Sequence, residues 1–292
     1  MKVGFIGTGV MGQSIVKHLM KKGYEVTLYT RTKSKADELI QMGAKWGETP
    51  KQVAQASDII FTMVGYPNDV EAIYFTAETG LFATDITNKI FVDLTTSTPS
   101  LAVKIAEAAN KRQAHSLDAP VSGGDLGAQK GTLTIMVGGE KAIYEKVLPL
   151  FQAFGQSFTL HGSAGKGQHT KMANQIMVAS TMLGLTETLV YAKKAGLDLD
   201  KVIATLSGGS AANWSLTNYG PRILANDYSA GFFVKHFVKD LKIALDEAEK
   251  MNLALPMTDL ALKLYENLAE EGFSDAGTQA LIKLWWPTNE KE

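Results

Sequence analysis

In the stretch GKGQHTKMANQ, residues 165–175, Lys171, Asn174 and Gln175 stand at i, i+3 and i+4. On a helix they share one face. An amine flanked by amides can hand a proton to a carbonyl oxygen under reduction, or take one from an alcohol under oxidation. The positive helix end and burial both disfavour an ammonium, which draws its pKa toward that working range. Most lysines sit on a wet surface instead. Here the face is a polar one on an otherwise apolar helix, with a nucleotide-type loop upstream, and that context favours chemistry.

That loop is VGFIGTGVMG, with Gly7, Gly9 and Gly12 directly after a strand and Thr8, Val10 and Met11 between and beside them. The first glycine allows a tight turn, the second lets backbone approach a pyrophosphate, and the third lets a helix pack on the strand. The helix start then offers N–H groups to phosphate. An NAD site carries an acid about 20 residues further on, at the tip of the second strand. In LYTRTKSK that tip is Thr30, followed by Arg31 and Thr32, with Lys33 and Lys35 close by. A guanidinium grips a phosphate where a carboxylate would repel it, so NADP(H) is favoured and NAD(H) is the alternative. Met63, Val64 and Pro67 in FTMVGYPNDV are candidates to pack on the dinucleotide, and Thr96 in VDLTTSTP to bond near the nicotinamide. In DAPVSGG, residues 118–124, Ser122 and the N–H groups of Gly123 and Gly124 form a candidate cradle for a carboxylate. Taken alone, it reads equally as a plain tight turn.

The elements that must position these residues are legible as a change of period. Up to residue 163, β-rich runs (KVGFIG, EVTLYT, DIIFTMV, KIFVDLT, AHSLDAP, TLTIMVGG, QSFTLHG) alternate with helical segments. That order predicts a doubly wound, mainly parallel α/β sheet of Rossmann type. Beyond it, helical patterns cover 166–194, 198–207, 213–226, 234–251, 256–271 and 275–285. We therefore expect a dinucleotide-binding domain over 1–163 and an all-α substrate and oligomerisation domain over 164–292, joined by a long helix over 166–194.

With 292 residues the chain is long enough for two cores, and its net charge of −1 offers no field for nucleic acid or an anionic membrane. Cysteine is absent, so thiolate chemistry and disulfides are excluded. The five histidines lack paired-ligand spacing, and no metal site is expected. MKVGFIGTG lacks the order of a signal peptide, and the chain is expected to be cytoplasmic. An apolar face on the long helix, and Trp285 and Trp286 near the end, suit packing or a subunit contact.

Together, GFIGTGVMG, DAPVSGG, GKGQHTKMANQ and KDL at 239–241 resemble the β-hydroxyacid dehydrogenases, the group of 3-hydroxyisobutyrate dehydrogenase, tartronate semialdehyde reductase and the glyoxylate/succinic semialdehyde reductases. The resemblance spans essentially the whole chain. It implies a Rossmann domain followed by a helical domain of the 6-phosphogluconate dehydrogenase type, with the active site in the cleft between them. Lys171 would be the proton donor and acceptor. Ser122, Gly123 and Gly124 would hold the substrate carboxylate, Asn174 would help orient it, and Thr96 would sit beside the nicotinamide. Trp214 and Tyr219 of NWSLTNY would line the pocket, and Phe232, Lys239 and Asp240 would close it around cofactor and substrate. From sequence alone, Trp214 reads as core and Lys239 as a surface charge. One departure stands out: the family's two adjacent asparagines are Asn174 and Gln175 here, a longer arm that could retune the pocket. The TRT segment resembles the NADPH-preferring reductases, whereas Trp214 and Tyr219 resemble the NAD-dependent members. Relatives are dimers or tetramers, so a homodimer or homotetramer is expected. The alternatives are a non-catalytic dinucleotide sensor or scaffold and a decarboxylating enzyme like 6-phosphogluconate dehydrogenase. The latter needs a longer helical domain and basic residues for a sugar phosphate.

Overall fold

The computed structural model describes residues 1–286. Contacts divide the chain into two compact units, Met1–Lys171 and Met172–Glu292. The first contains β1 (Lys2–Ile6), α1 (Val10–Lys21), β2 (Glu25–Tyr29), α2 (Asp37–Gln41), β3 (Lys45–Trp46), α3 (Pro50–Ala56), β4 (Ile59–Thr62), α4 (Pro67–Phe75), β5 (Ile90–Asp93), α5 (Pro99–Asn110), β6 (His115–Asp118), β7 (Val121–Ser122), α6 (Gly124–Lys130), β8 (Leu133–Gly139), α7 (Lys141–Phe154) and β9 (Gly155–Leu160). The strand order is β3-β2-β1-β4-β5-β6-β8-β7, with β9 also on β8. The run from β3 to β6 is parallel, whereas β8 is antiparallel to β6 and β7.

Parallel strands joined by helices are covered on both faces, which is why these segments read as continuous apolar runs. Phe5, Phe61 and Val92 enter one core cluster with α1 and α7, while their neighbours Ile6, Ile60 and Phe91 enter another with α3, α4 and α5. The seven predicted runs are all strands; β3 and β7, of two residues each, carried no readable period. Helix starts follow local chemistry. Thr49 and Thr98 cap α3 and α5 with their side chains, each followed by a proline at the first turn.

The second unit holds α8 (Lys166–Lys194) from Met172 onward, α9 (Leu199–Ser207), α10 (Trp214–Leu224), α11 (Val234–Lys250) and α12 (Pro256–Leu268). α8 is buried on two sides within this unit. Ala179 and Leu183 pack with α11 and α12, and Met182, Leu185 and Leu189 with α9 and α10. With an apolar stripe on each side, the helix has no single apolar face. The predicted helices hold until residue 268. The α-helix expected to 271 gives way to a π-turn over Ala269–Phe273 because Gly272 takes φ 93°, and the segment expected at 275–285 is a 3₁₀-helix over Thr278–Leu284. No helix among the described residues is long and apolar enough to cross a membrane.

Phe61 anchors the first core, with ring centroids 6.1 Å from Phe5, 6.4 Å from Phe151 and 6.0 Å from Phe154. Phe61→Ala should lower the unfolding free energy by about 3–5 kcal/mol, read as an earlier urea midpoint in far-UV circular dichroism.

Candidate active site

Because β1, β2, β4, β5 and β6 run parallel, the loops at their carboxyl ends gather on one edge of the sheet. Gly7, Thr8, Gly9, Val10, Met11 and Gly12 form the β1–α1 turn. Gly7 has φ 98°, and a Cβ there would collide with the Met63 carbonyl; a Cβ on Gly12 would collide with the carbonyl of Gly7. Beside Gly9, by contrast, there is open space. α1 begins without a side-chain cap, so its first N–H groups are left for a ligand. The Thr8 hydroxyl is fully buried with no hydrogen-bond partner among the described residues. A pyrophosphate supplies what this turn lacks, so the residues fit a dinucleotide.

The other loops fall on the same edge. Thr30, Arg31, Thr32 and Lys35 follow β2. The Arg31 guanidinium is 88% exposed, with Asp69 of α4 3.5 Å away. Met63, Val64 and Pro67 follow β4, and the Val64 N–H donates to Thr95 Oγ1 at 3.0 Å, which ties that loop to the one carrying Thr96.

Lys171 is only 6% exposed. Its Nζ donates to the Val121 carbonyl at 2.9 Å, one residue before Ser122. Gly123 and Gly124 take φ of 123° and 61° as the chain turns from β7 into α6, the kind of turn that sets successive N–H groups to one side. The lysine and the proposed cradle are thus neighbours through a single carbonyl.

Two residues that carried no role in the sequence hold this arrangement. Asp118, at the end of β6, accepts from the N–H groups of Gly165 and Gln168, both at 2.8 Å, and so caps the start of α8. Burial pushes its carboxyl above the usual range, against the pull of the backbone N–H groups that bond it. Gln168 is fully buried, and its amide brackets Thr96. Oε1 accepts from the Ser97 N–H at 3.0 Å, and Nε2 donates to the Thr95 carbonyl at 2.8 Å. The close approach needs Gly167, where a Cβ would meet the carbonyls of Asp118 and Met136. The signals were present in DAPVSGG and GKGQHTK. A helix starting at residue 166 needs an acceptor, and nothing local in the sequence names a residue 50 positions upstream.

In the second unit, Asn174 Nδ2 donates to Gln175 Oε1 at 2.7 Å, and Gln175 Nε2 donates to Asp240 Oδ2 at 2.6 Å. Lys239 Nζ lies 3.0 Å from Asp240 Oδ1, its side chain 12% exposed. The expectation of a surface charge at Lys239 is therefore corrected: it stands against a buried carboxylate, which demands a partner. Trp214 is corrected in the other direction. As the first residue of α10 it is 58% exposed, and its ring meets buried Tyr219 edge-on at 5.1 Å. Phe232 packs on Phe237 at 5.5 Å, in a cluster other than that of Tyr219. Among the described residues no group of three or more acidic or histidine side chains is placed to hold a metal ion.

Two family models match the chain. One, described as the NAD binding domain of 6-phosphogluconate dehydrogenase, covers residues 2–162. The other, described as NAD-binding of NADP-dependent 3-hydroxyisobutyrate dehydrogenase, covers 165–285. The chain is 50% identical to "Probable 3-hydroxyisobutyrate dehydrogenase-like 1, mitochondrial" of Arabidopsis thaliana, over 96% of this chain and 84% of that protein. It is 40% identical to 2-hydroxy-3-oxopropionate reductase of Escherichia coli, over 97% and 96% of the two chains. A solved structure, Psf3 in complex with NADP+ and 2-OPP, superposes with a TM-score of 0.90 at 26% identity, over 97% of this chain and 99% of that one.

Removing the Asp118 carboxylate leaves the two N–H groups it caps unsatisfied. Asp118→Ala should lower the unfolding free energy by about 1–3 kcal/mol, measured in urea by circular dichroism.

Proposed function

The chain belongs to the β-hydroxyacid dehydrogenase family, and we propose that it reduces small aldehyde acids with NADPH and reversibly oxidises the matching 3-hydroxyacids, with Lys171 as the proton donor and acceptor. The observation that carries this reading is the buried Lys171, its Nζ held at 2.9 Å by the carbonyl that precedes Ser122. Bound NADPH supplies hydride to the carbonyl carbon. Lys171 delivers a proton to the oxygen on which negative charge develops, and a cation already in place there needs no reorganisation at the moment of reaction. In oxidation the same amine takes the hydroxyl proton.

Ser122 and the N–H groups of Gly123 and Gly124 hold the substrate carboxylate, which fixes the distance from that end of the substrate to Lys171. Thr96 stands beside the nicotinamide, held on both sides by Gln168. Asn174 orients the substrate one helical turn beyond the lysine, with Gln175 and Asp240 behind it. Trp214, Tyr219, Phe232 and Lys239 bound the pocket. At the cofactor edge, exposed Arg31 with Thr32 and Lys35 takes the 2′-phosphate, and Thr30 puts no carboxylate in its way. Self-association is supported by a stripe on α8: Met177 and Tyr191 are exposed, and Gly184, midway between them, faces open space.

Lys171→Ala should lower kcat by about 10²–10⁴-fold while the NADPH Kd, from fluorescence titration, stays close to wild type. Unaltered turnover with an aldehyde-acid panel would refute the assignment. Arg31→Ala should cut the ratio of kcat/KM for NADPH over NADH by about tenfold or more; a ratio that does not move would return the 2′-phosphate to another residue.

A further inference from the structure

Within the first unit, the loop after β2 and the start of α4 meet at one ion pair. Arg31 Nη1 stands 3.5 Å from Asp69 Oδ1, the two side chains 88% and 33% exposed. An exposed pair of this kind is weak, so a better anion can draw the guanidinium away. Asp69 keeps a favourable place when that happens. It lies in the first turn of α4, where no side chain caps the N–H groups and the helix end carries partial positive charge. The neighbouring cation Lys33 is drawn toward β3 instead, 3.6 Å from Glu48 and 5.1 Å from the Trp46 ring centroid. The loop itself is tied to the dinucleotide turn through α1: Gln13 Nε2 donates to the Thr8 carbonyl at 3.3 Å and to the Lys35 carbonyl at 3.0 Å. Arg31 and Asp69 thus form a cation and an anion side by side on a loop that the pyrophosphate turn holds.

A ribose 2′-hydroxyl and a 2′-phosphate ask for opposite partners. The hydroxyl donates to a carboxylate, whereas the phosphate takes a guanidinium and is repelled by a carboxylate. The usual position for that carboxylate is the tip of the second strand, where this chain has Thr30. We infer that Asp69 supplies the carboxylate from α4 instead, so that the adenosine end of the site holds a cation for NADP(H) and an acid for NAD(H), and Asp69 sets the balance between them. The inference rests on the reading that Arg31 takes the 2′-phosphate. With NADP(H), Arg31 exchanges its weak ion pair for an anion it can grip with two N–H groups, and Asp69 opposes the added negative charge. With NAD(H), the ion pair stays and Asp69 accepts a hydrogen bond from the 2′-hydroxyl. Its carboxylate therefore weakens one cofactor and strengthens the other, with the opposite sign to Arg31.

The test is the ratio of Kd for NADH over NADPH, from fluorescence titration of the full chain, a readout that needs no turnover. Asp69→Asn, which keeps the size and removes the charge, should raise that ratio about three- to tenfold by tightening NADPH and weakening NADH. Asp69→Ala, which also removes the acceptor, should move it in the same direction. The change should shrink in about 1 M salt, where charges are screened within about 3 Å. Partial unfolding weakens both dinucleotides alike and leaves the ratio where it was, so the readout separates specificity from stability. A ratio unchanged or lowered in both Asp69 variants, while Arg31→Ala lowers it, overturns this inference alone. A ratio that Arg31→Ala does not move, or a wild type that binds neither dinucleotide, overturns the parent reading and this inference with it.

Discussion

Lys171, the Ser122 loop and the Thr96 loop are tied together by one buried carboxylate meeting the start of one helix. Asp118 leaves β6 and takes the N–H groups of Gly165 and Gln168, just where a helix has donors without intrahelical partners and a partial positive charge. The burial that pushes this acid up is opposed by the very groups it caps. Because the cap fixes the first turn of α8, it also fixes Gln168, whose amide brackets Thr96, and Lys171 one turn later, whose ammonium reaches back to Val121. Val121 is three residues past Asp118 on the same loop. Helix and loop therefore hold each other at two points, and the geometry of three candidate groups reduces to one rigid junction.

The dinucleotide edge is built on the opposite plan. There the chain leaves groups incomplete: open space beside Gly9, an uncapped α1 and a buried Thr8 hydroxyl without a partner. Buried polar groups are normally satisfied within a protein. In a turn whose other glycines are closed against backbone, these groups fit a bound dinucleotide.

Periodicity made most of the fold legible. Strands covered on both faces read as apolar runs, and helices in the second unit read as long periodic stretches with caps at Asp198 and Asn213. The features it did not resolve are short or depend on one backbone angle: two-residue β3 and β7, and the break at Gly272. The glycine turn, the DAPVSGG loop and the face of Lys171 were visible because each has fixed local spacing. Asp118 and Gln168 were not, because their partners are 47 to 73 residues away in sequence, and spacing has no power over such contacts. Trp214 and Lys239 misled for a related reason. Residue type alone predicts burial of an indole and exposure of an ammonium, whereas a helix's first position and a buried acid next door reverse both.

Each unit thus uses a buried aspartate in the same manner, as the acceptor for donors that pack around it. Asp118 accepts from a backbone turn; Asp240 accepts from Gln175, which in turn accepts from Asn174. The two differ in the effect a substitution can have. Altering the first displaces a helix and everything mounted on it. Altering the second reaches the side-chain amides of Gln175 and Asn174. The amide pair of Asn174 and Gln175 is thereby built on a separate acid from the junction that seats Lys171, so the two can vary independently.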